Sequence, residues 1–582
     1  MSQLLTVLRQ AGFSELACQF ASYIQRIDNS DDELVPLTAG LLTEAVAQGH
    51  VCLNLLRIDS WTQKVMTLLP EQHEEWLARL QKSNVVGVDG DYKPLILDNN
   101  GQLYLYRHWQ DEKSVANAIL QRSQHIELND SDALQADFAK WPSSVDGIDW
   151  QKVAVLMAMT RQFCVISGGP GTGKTTIVLR ILQSLKHQHN GVRIALAAPT
   201  GKAAARLQQS VAQADDNGIQ AKTLHRLLGI TPDNDQGRYN ASRPLPFDVV
   251  VVDEASMIDI SLMAKLLKAL SAKARLILLG DSQQLASVES GAVLANLCQQ
   301  QMIFDQTFSQ QLQLLAGQTL DEQFVSDTGS VLTNSVVQLQ HSYRFAHDSV
   351  IGQLAKSVQT KNSDDIIADF TQLKETVWQS ADAANIATQI MAGYQAYFDT
   401  VMSSVSPEQC LQAFDQFRVL CALKQGPQSV TSVNNMIERH LNKQGWRSLQ
   451  DFYHGRPIMV TRNDYRQQLF NGDIGIILYD PKRVLRAHFM IDNEVREIPI
   501  ARLPAHETAY AMTVHKSQGS EFEQVCVLLP DEEATILTRE LLYTALTRAK
   551  NQLMIMADES IIRSTVANQH TRETGLADIL LA

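Results

Sequence analysis

The eight residues Gly168-Gly169-Pro170-Gly171-Thr172-Gly173-Lys174-Thr175 constrain this chain more than anything else in it. They fit the phosphate-loop pattern G-x-x-x-x-G-K-[ST], and their surroundings are the ones that pattern needs. An apolar, strand-like run (Phe163-Cys164-Val165-Ile166) leads in, and a helix-like run (Ile177-Val178-Leu179-Arg180-Ile181-Leu182) leads out. Glycines let backbone N–H groups close round a phosphate, and the start of the helix adds its partial positive charge. Lys174 is expected on the β- and γ-phosphates of a nucleotide, and Thr175 on Mg²⁺. Thr176 completes the cradle.

A phosphate loop implies a parallel sheet. Between about 150 and 300, apolar runs alternate with helical ones: Val165-Ile166, Ile194-Ala195-Leu196, Val249-Val250-Val251-Val252 and Leu276-Ile277-Leu278-Leu279. Because the runs are continuously apolar, they predict parallel strands buried on both faces. Asp253 and Glu254 follow Val252 directly, at the strand end that faces the nucleotide in such a fold. Asp253 is expected to hold Mg²⁺, and Glu254 to orient and deprotonate the attacking water. Gln284, in Gly280-Asp281-Ser282-Gln283-Gln284, is placed to hydrogen-bond the γ-phosphate or that water.

The chain has 582 residues, too many for one core, and three to four domains are expected. Seven cysteines lie far apart with no Cys-x-x-Cys pair. That argues against a zinc ribbon or iron–sulfur cluster and for reduced, buried thiols in a cytoplasmic protein. No transmembrane run or signal peptide is evident. The net charge of −13 is unevenly spread: residues 1–150 hold 11 Lys+Arg against 21 Asp+Glu, the remainder 39 against 42. The first quarter is therefore a poor partner for DNA phosphates, whereas the rest is close to neutral.

Helical spacing runs through residues 1 to about 85, as in Leu4-Leu5-Val7-Leu8, Leu41-Leu42-Glu44-Ala45-Val46 and Trp76-Leu77-Leu80. A hairpin turning at Asn100-Gly101 follows. Trp61, Trp76, Tyr104 and Trp109 look like exposed aromatics suited to an interface, the alternative being that they fill the domain's own small core. Trp141-Pro142-Ser143-Ser144-Val145-Asp146-Gly147 reads as a link into the next domain, and 299–336 as a weakly periodic excursion. Beyond it, Arg418-Val419-Leu420-Cys421-Ala422 and Val525-Cys526-Val527-Leu528-Leu529 predict a second α/β unit. Pro457-Ile458-Met459-Val460, Ile474-Gly475-Ile476-Ile477 and Ala487-His488-Phe489-Met490 predict a small β-module within it.

Several further blocks are similar to the motifs of superfamily-one helicases. They are Leu196–Ala204 (Leu-Ala-Ala-Pro-Thr-Gly-Lys-Ala-Ala), Thr223–Leu228 (Thr-Leu-His-Arg-Leu-Leu), Leu339–Phe345 (Leu-Gln-His-Ser-Tyr-Arg-Phe), Ala511–Phe522 (Ala-Met-Thr-Val-His-Lys-Ser-Gln-Gly-Ser-Glu-Phe) and Leu542–Lys550. The form around Gln518 resembles the branch that moves 5′→3′. Gly455–Val460 followed by Asn471-Gly472-Asp473-Ile474-Gly475 resembles the RecD family, the alpha subunits of RecBCD-type (exodeoxyribonuclease V) complexes. The similarity is dense from about 150 to 555.

The resemblance implies an α/β architecture: two RecA-like phosphate-loop domains, a small inserted SH3-like β-module and a mainly helical N-terminal domain. On this reading 1–110 is a docking domain and 111–150 a linker. Residues 151–330 form the first motor domain, 331–454 with 501–582 the second, and 455–500 the inserted module. Arg344 and Arg548, taken to come from the second unit across the cleft, are the implied arginine fingers. Gln151 is the implied adenine reader, and Gly519 and Glu521 join the nucleotide contacts. Thr200, Lys202, Thr223, His225, Asn471, Thr513, His515 and Lys516 are the implied contacts to single-stranded DNA. The implied activity is ATP- and Mg²⁺-dependent 5′→3′ translocation and unwinding at duplex DNA ends. RecB-like and RecC-like subunits are the implied partners, in recombinational repair. No clustered acidic set outside the motor motifs suggests a nuclease site, so cleavage is assigned to a partner. A free-standing RecD-like helicase and a nucleotide-gated structural subunit remain alternatives.

Overall fold

The run Val249–Val252 lies inside a six-stranded, wholly parallel sheet of a computed structural model. The model describes residues 3–29, 32–57, 69, 73–142, 147–213, 219–299, 301–327, 332–345, 349–372, 378–379, 381–403, 406–446, 451–464, 466–491, 494–569 and 572–581. From one edge to the other the strands are Val336–Leu339, Phe163–Gly168, Arg275–Gly280, Val249–Val252, Ile194–Ala198 and Ala221–Thr223. Successive residues feed opposite faces: Phe163, Val165, Val250 and Val252 pack into one cluster, Cys164, Ile166, Val249 and Val251 into the other. A parallel strand covered by helices on both sides needs an apolar residue at every position, and that is what these strands supply.

The second sheet is also parallel, in the order Trp378–Gln379, Ala549–Met556, Phe522–Leu528, Phe417–Cys421, Ala511–Thr513. It too is buried on both faces, with Leu420, Val525 and Val527 on one and Val419, Cys526 and Leu528 on the other. The two sheets form the two RecA-like units. Inserted in the second is a five-stranded antiparallel sheet, Glu494–Pro499, Leu485–Ile491, Ile474–Tyr479, Arg456–Val460 and His506–Thr508. It has its own small core around Ile458, Ile477 and Phe489.

The N-terminal part holds the helices Gln3–Gln10, Glu15–Asp28, Leu34–Ala47 and His73–Gln81. Its four-stranded sheet includes the expected hairpin, Leu95–Leu97 against Gln102–Leu105. All seven cysteines are free and buried. Among the described residues no helix is long and apolar enough to cross a membrane.

Several expectations need correcting. Residues 111–150 are not a linker: Tyr106–Arg122 and Ser131–Ala139 are helices that bury Val115, Ala116 and Ile119 in one core and Leu134 and Phe138 in another. Residues 143–146 lie outside the described ones. The stretch 299–336 contains a capped helix, Gln306–Ala316, that buries Phe308 and Leu312. Val336–Leu339, placed beyond residue 330 in the second unit, pairs in register with Val165–Gly168 and completes the first sheet. The inserted sheet extends past residue 500 to take in His506–Thr508. Trp76 and Tyr104 are core residues, 3% and 0% exposed, with Trp76 Nε1 donating to Thr38 Oγ1; Trp109 is half-buried against Tyr104. Trp61 lies outside the described residues.

The C-terminal residues also leave the second unit. Arg572 donates to the carbonyls of Ser287 (2.5 Å), Glu289 (2.7 Å) and Gly291 (2.9 Å) in the first motor domain. Val51 N donates to Glu573 O at 2.9 Å, and Gly575 N to Glu112 Oε2 at 3.1 Å. This strap ties all three large units together.

Candidate active site

The phosphate loop connects the strand Phe163–Gly168 to the helix Lys174–Gln188. Gly173 has φ +84° and stands so close to Gln151 that a Cβ there would lie 2.3 Å from its amide nitrogen. Gly171, φ +77°, leaves no room for a Cβ either, because Arg344 Cβ would be 2.2 Å away. Lys174 Nζ donates to the loop's own carbonyls, Gly168 O at 2.5 Å and Gly169 O at 3.1 Å.

A cavity of about 330 Å³ opens over this loop. It gathers Lys174, Thr175, Asp253, Glu254 and Gln284 from the first unit with Gly519, Glu521 and Arg548 from the second. Asp253 and Glu254 emerge from the end of Val249–Val252 as expected. Glu254 holds a left-handed backbone (φ 54°, ψ 39°) that a non-glycine residue adopts at a cost, and its N–H donates to Asp253 Oδ1 at 2.9 Å. Burial, reinforced by the neighbouring Glu254 charge and opposed by Lys174, pushes the Asp253 carboxyl up to about 6. A hydroxyl and a charge-starved carboxylate on one cavity wall are the hard oxygen donors that a divalent cation accepts, so Thr175 and Asp253 fit Mg²⁺. Gln284 Nε2 donates to Asp281 Oδ2 at 2.9 Å, which also takes the Tyr543 hydroxyl at 3.1 Å.

Arg548 lies just past the helix Arg539–Leu546 and is 2% exposed, so it is not the surface partner of an i,i+4 ion pair. Nε donates to Thr544 O at 3.1 Å and Nη1 to Ser520 O at 3.2 Å. Burial pulls its pKa down, against the attraction of Glu254 and Glu521. Arg344 differs from expectation. Because Val336–Leu339 belongs to the first sheet, Arg344 sits on the connection between the units, beside the phosphate loop. Ser342 Oγ donates to Pro170 O at 3.0 Å and Tyr343 N to Gly171 O at 2.8 Å. Arg344 Nη2 pairs with Glu521 Oε2 at 2.9 Å.

Gln151 is buried behind the loop. Its amide donates to Thr172 O at 3.0 Å and accepts from Arg180 Nη1 at 2.9 Å. Tyr343 and His341, at 4.6 Å between ring centroids, line a small pocket with it. Arg206, Tyr343 and Tyr543 were absent from the predicted set. Tyr343 and Tyr543 sit inside motifs already quoted; nothing local marks Arg206, because only the tertiary fold brings it to the cavity.

The predicted DNA contacts gather at the outer strands of the two sheets. Thr200 follows Ile194–Ala198, Thr223 ends Ala221–Thr223 and Thr513 ends Ala511–Thr513. Each hydroxyl accepts from a backbone N–H that starts a helical turn: Ala203 N (3.2 Å), Arg226 N (3.2 Å) and Lys516 N (3.3 Å). Lys202 is half-buried, and burial lowers its pKa against the pull of Asp415 and Asp473. Asn471 is exposed next to Phe470, which presses on Gly201 at the start of the helix Gly201–Gln213 that carries Lys202. His515 is partly buried, and burial lowers its pKa, helped by Arg572. Lys516 is ion-paired with Glu507 at 2.6 Å. His225 is exposed but lines a separate cavity with Arg107, His108 and Lys265.

Sequence comparison decides the family. The RecBCD enzyme subunit RecD of Haemophilus influenzae is 37% identical over 82% of this chain and 80% of that protein. The chain belongs to the RecD family of helicases. The RecD subunit of Mycolicibacterium smegmatis is 35% identical over 94% of this chain and 93% of its own. The RecD N-terminal domain family matches residues 9–104, an AAA domain 151–290 and the UvrD-like helicase C-terminal domain 508–556. The ATP-dependent RecD2 DNA helicase of Deinococcus radiodurans is 29% identical, over 83% of this chain but 59% of that protein.

Proposed function

We propose that this RecD-family helicase hydrolyses Mg·ATP between its two RecA-like units and uses the cycle to move 5′→3′ along single-stranded DNA. The observation that carries this reading is the single cavity in which Lys174, Asp253 and Glu254 of the first unit face Glu521 and Arg548 of the second. Lys174 swings from its own loop carbonyls to the β- and γ-phosphates. Thr175 and Asp253 hold Mg²⁺, which neutralises phosphate charge when bound. Glu254 takes the proton of the attacking water, and Gln284 orients that water. Arg344 and Arg548 stabilise charge on the transferring phosphoryl group. Because Arg548 belongs to the opposite unit, it acts only when the cleft is closed, so hydrolysis is tied to domain closure. Gln151 and Tyr343 hold the base end.

DNA crosses the outer strands, where Thr200, Thr223 and Thr513 end parallel strands and Lys202, Asn471, His515 and Lys516 stand nearby. Contacts of this kind grip a backbone without reading sequence. Relatives named as RecBCD subunits match nearly the whole chain, which supports assembly with RecB-like and RecC-like subunits at duplex ends. The test is a strand-displacement assay with ATP and Mg²⁺ on partial duplexes carrying a 5′ or a 3′ single-stranded tail. Displacement from the 5′-tailed substrate is expected; preference for 3′ tails would refute the direction, and no DNA-stimulated ATP hydrolysis would refute the motor.

A further inference from the structure

The helix Gly201–Gln213 lines the nucleotide cavity with one face, Ala203, Arg206, Leu207 and Ser210, the i, i+3, i+4, i+7 positions. Arg206 is the charged residue of that face. Its Nη2 lies 2.9 Å from Glu521 Oε2, the same oxygen that Arg344 Nη2 meets at 2.9 Å. Two guanidinium groups thus converge on one carboxylate oxygen, which is 12% exposed as a side chain. Among the described residues, Arg344 Nη1 is buried with no hydrogen-bond partner. Two cations meeting on one anion beside a phosphate loop, with a donor to spare, describe a seat for a doubly charged group larger than a carboxylate.

We propose that Arg206 is a third arginine of the phosphate clamp, supplied by the first motor domain, and that Glu521 occupies its place on the γ-phosphate until ATP arrives. The γ end is indicated by position. Arg206 lines the same cavity as Lys174, Glu254 and Arg548, the groups at the hydrolytic end, and shares Glu521 with Arg344, whereas the base end is marked by Gln151 behind the loop. With ATP bound, the terminal phosphate takes the two guanidinium groups and releases Glu521. ADP has no terminal phosphate and leaves the Arg206–Glu521–Arg344 bridge formed. Arg206 therefore distinguishes triphosphate from diphosphate, a role that rests on the ATPase reading above and deepens it.

The test measures equilibrium binding of fluorescent mant-AMP-PNP and mant-ADP, with Mg²⁺, to the full-length protein and to its Arg206→Ala and Arg206→Lys variants. Arg206 is partly exposed, its side chain 48% accessible, so the fold survives its loss. A charge-assisted contact of this kind predicts that Arg206→Ala weakens mant-AMP-PNP about tenfold and changes mant-ADP by less than about twofold. Arg206→Lys should fall between. Equal weakening of both nucleotides, or of neither, would overturn the role of Arg206 while leaving the nucleotide site in place. Failure of the unsubstituted protein to bind mant-ADP would instead remove that site, and Arg206 with it.

Discussion

Gln518 donates from its side-chain amide to the backbone carbonyl of Leu285, 2.9 Å away, and so joins the second motor unit to the segment that follows Gln284 in the first. Leu285 N answers by donating to Thr544 Oγ1, also at 2.9 Å. Gln518 is 7% exposed, and both bonds sit within a few residues of groups that face the nucleotide. When the cleft opens, these bonds must break. Gln518→Ala is expected to lower DNA-stimulated ATP hydrolysis toward the DNA-independent rate, with mant-ADP affinity changed by less than about twofold, since the amide touches no nucleotide group. ATPase assays with and without oligo-dT, alongside a binding titration, check both halves.

Lys174→Gln removes the ammonium that the phosphate loop places on the β- and γ-phosphates. That ammonium donates to Gly168 O and Gly169 O, so its loss deprives the fold only of bonds within the loop. Hydrolysis should fall more than about a hundredfold with the melting temperature little changed. A variant that kept a third of the original turnover would displace Lys174 from the centre of the reaction.

Glu254→Gln separates binding from chemistry. Its side chain takes no part in the cradle, and its left-handed backbone is set by the turn after Val252, which glutamine can also follow. Nucleotide affinity should stay within about twofold while turnover drops by two orders of magnitude or more, the usual scale for a general base. An affinity tenfold weaker would make Glu254 a binding residue.

How much of this was legible depended on whether the determinants are contiguous. The phosphate loop, the Asp253-Glu254 pair and the strands around them are short runs whose pattern and spacing carry their own physics, and they occur where the sequence places them. Some misses had local signals. Val115, Ala116 and Ile119 in Tyr106–Arg122, and Phe308, Leu312 and Leu315 after the Asp305 cap, are helical patterns in stretches read as linker and excursion. Trp76 and Tyr104 looked exposed because composition alone cannot tell a small domain's core aromatic from an interface aromatic. Arg344 was assigned to the wrong unit because strand order is a long-range fact: only pairing with Val165–Gly168 shows that Val336–Leu339 belongs to the first sheet. Arg206 and the C-terminal strap have no local sign at all.

The strap offers a prediction about pH. Glu112 is fully buried and accepts from Thr574 Oγ1 and, at 3.1 Å, from Gly575 N. Burial dominates those bonds, and a further one from Tyr104, and pushes its carboxyl up to about 7. The folded protein therefore holds a proton on Glu112 at pH values where an unfolded chain, near 4.5, has lost it. Stability from this group is complete below about 4.5, declines as pH rises, and is gone above about 7, a span of about 3 kcal/mol. The bonds at Glu112 run to Thr574 and Gly575, so the cost falls on docking of the strap itself. Amide hydrogen exchange in residues 572–581, corrected for intrinsic rates, should be slower at pH 6 than at pH 8. Glu112→Gln keeps an acceptor for Thr574 and Gly575 without the charge, and it should remove that difference. Equal protection at both pH values in the unsubstituted protein would mean that docking of the strap does not depend on a proton at Glu112.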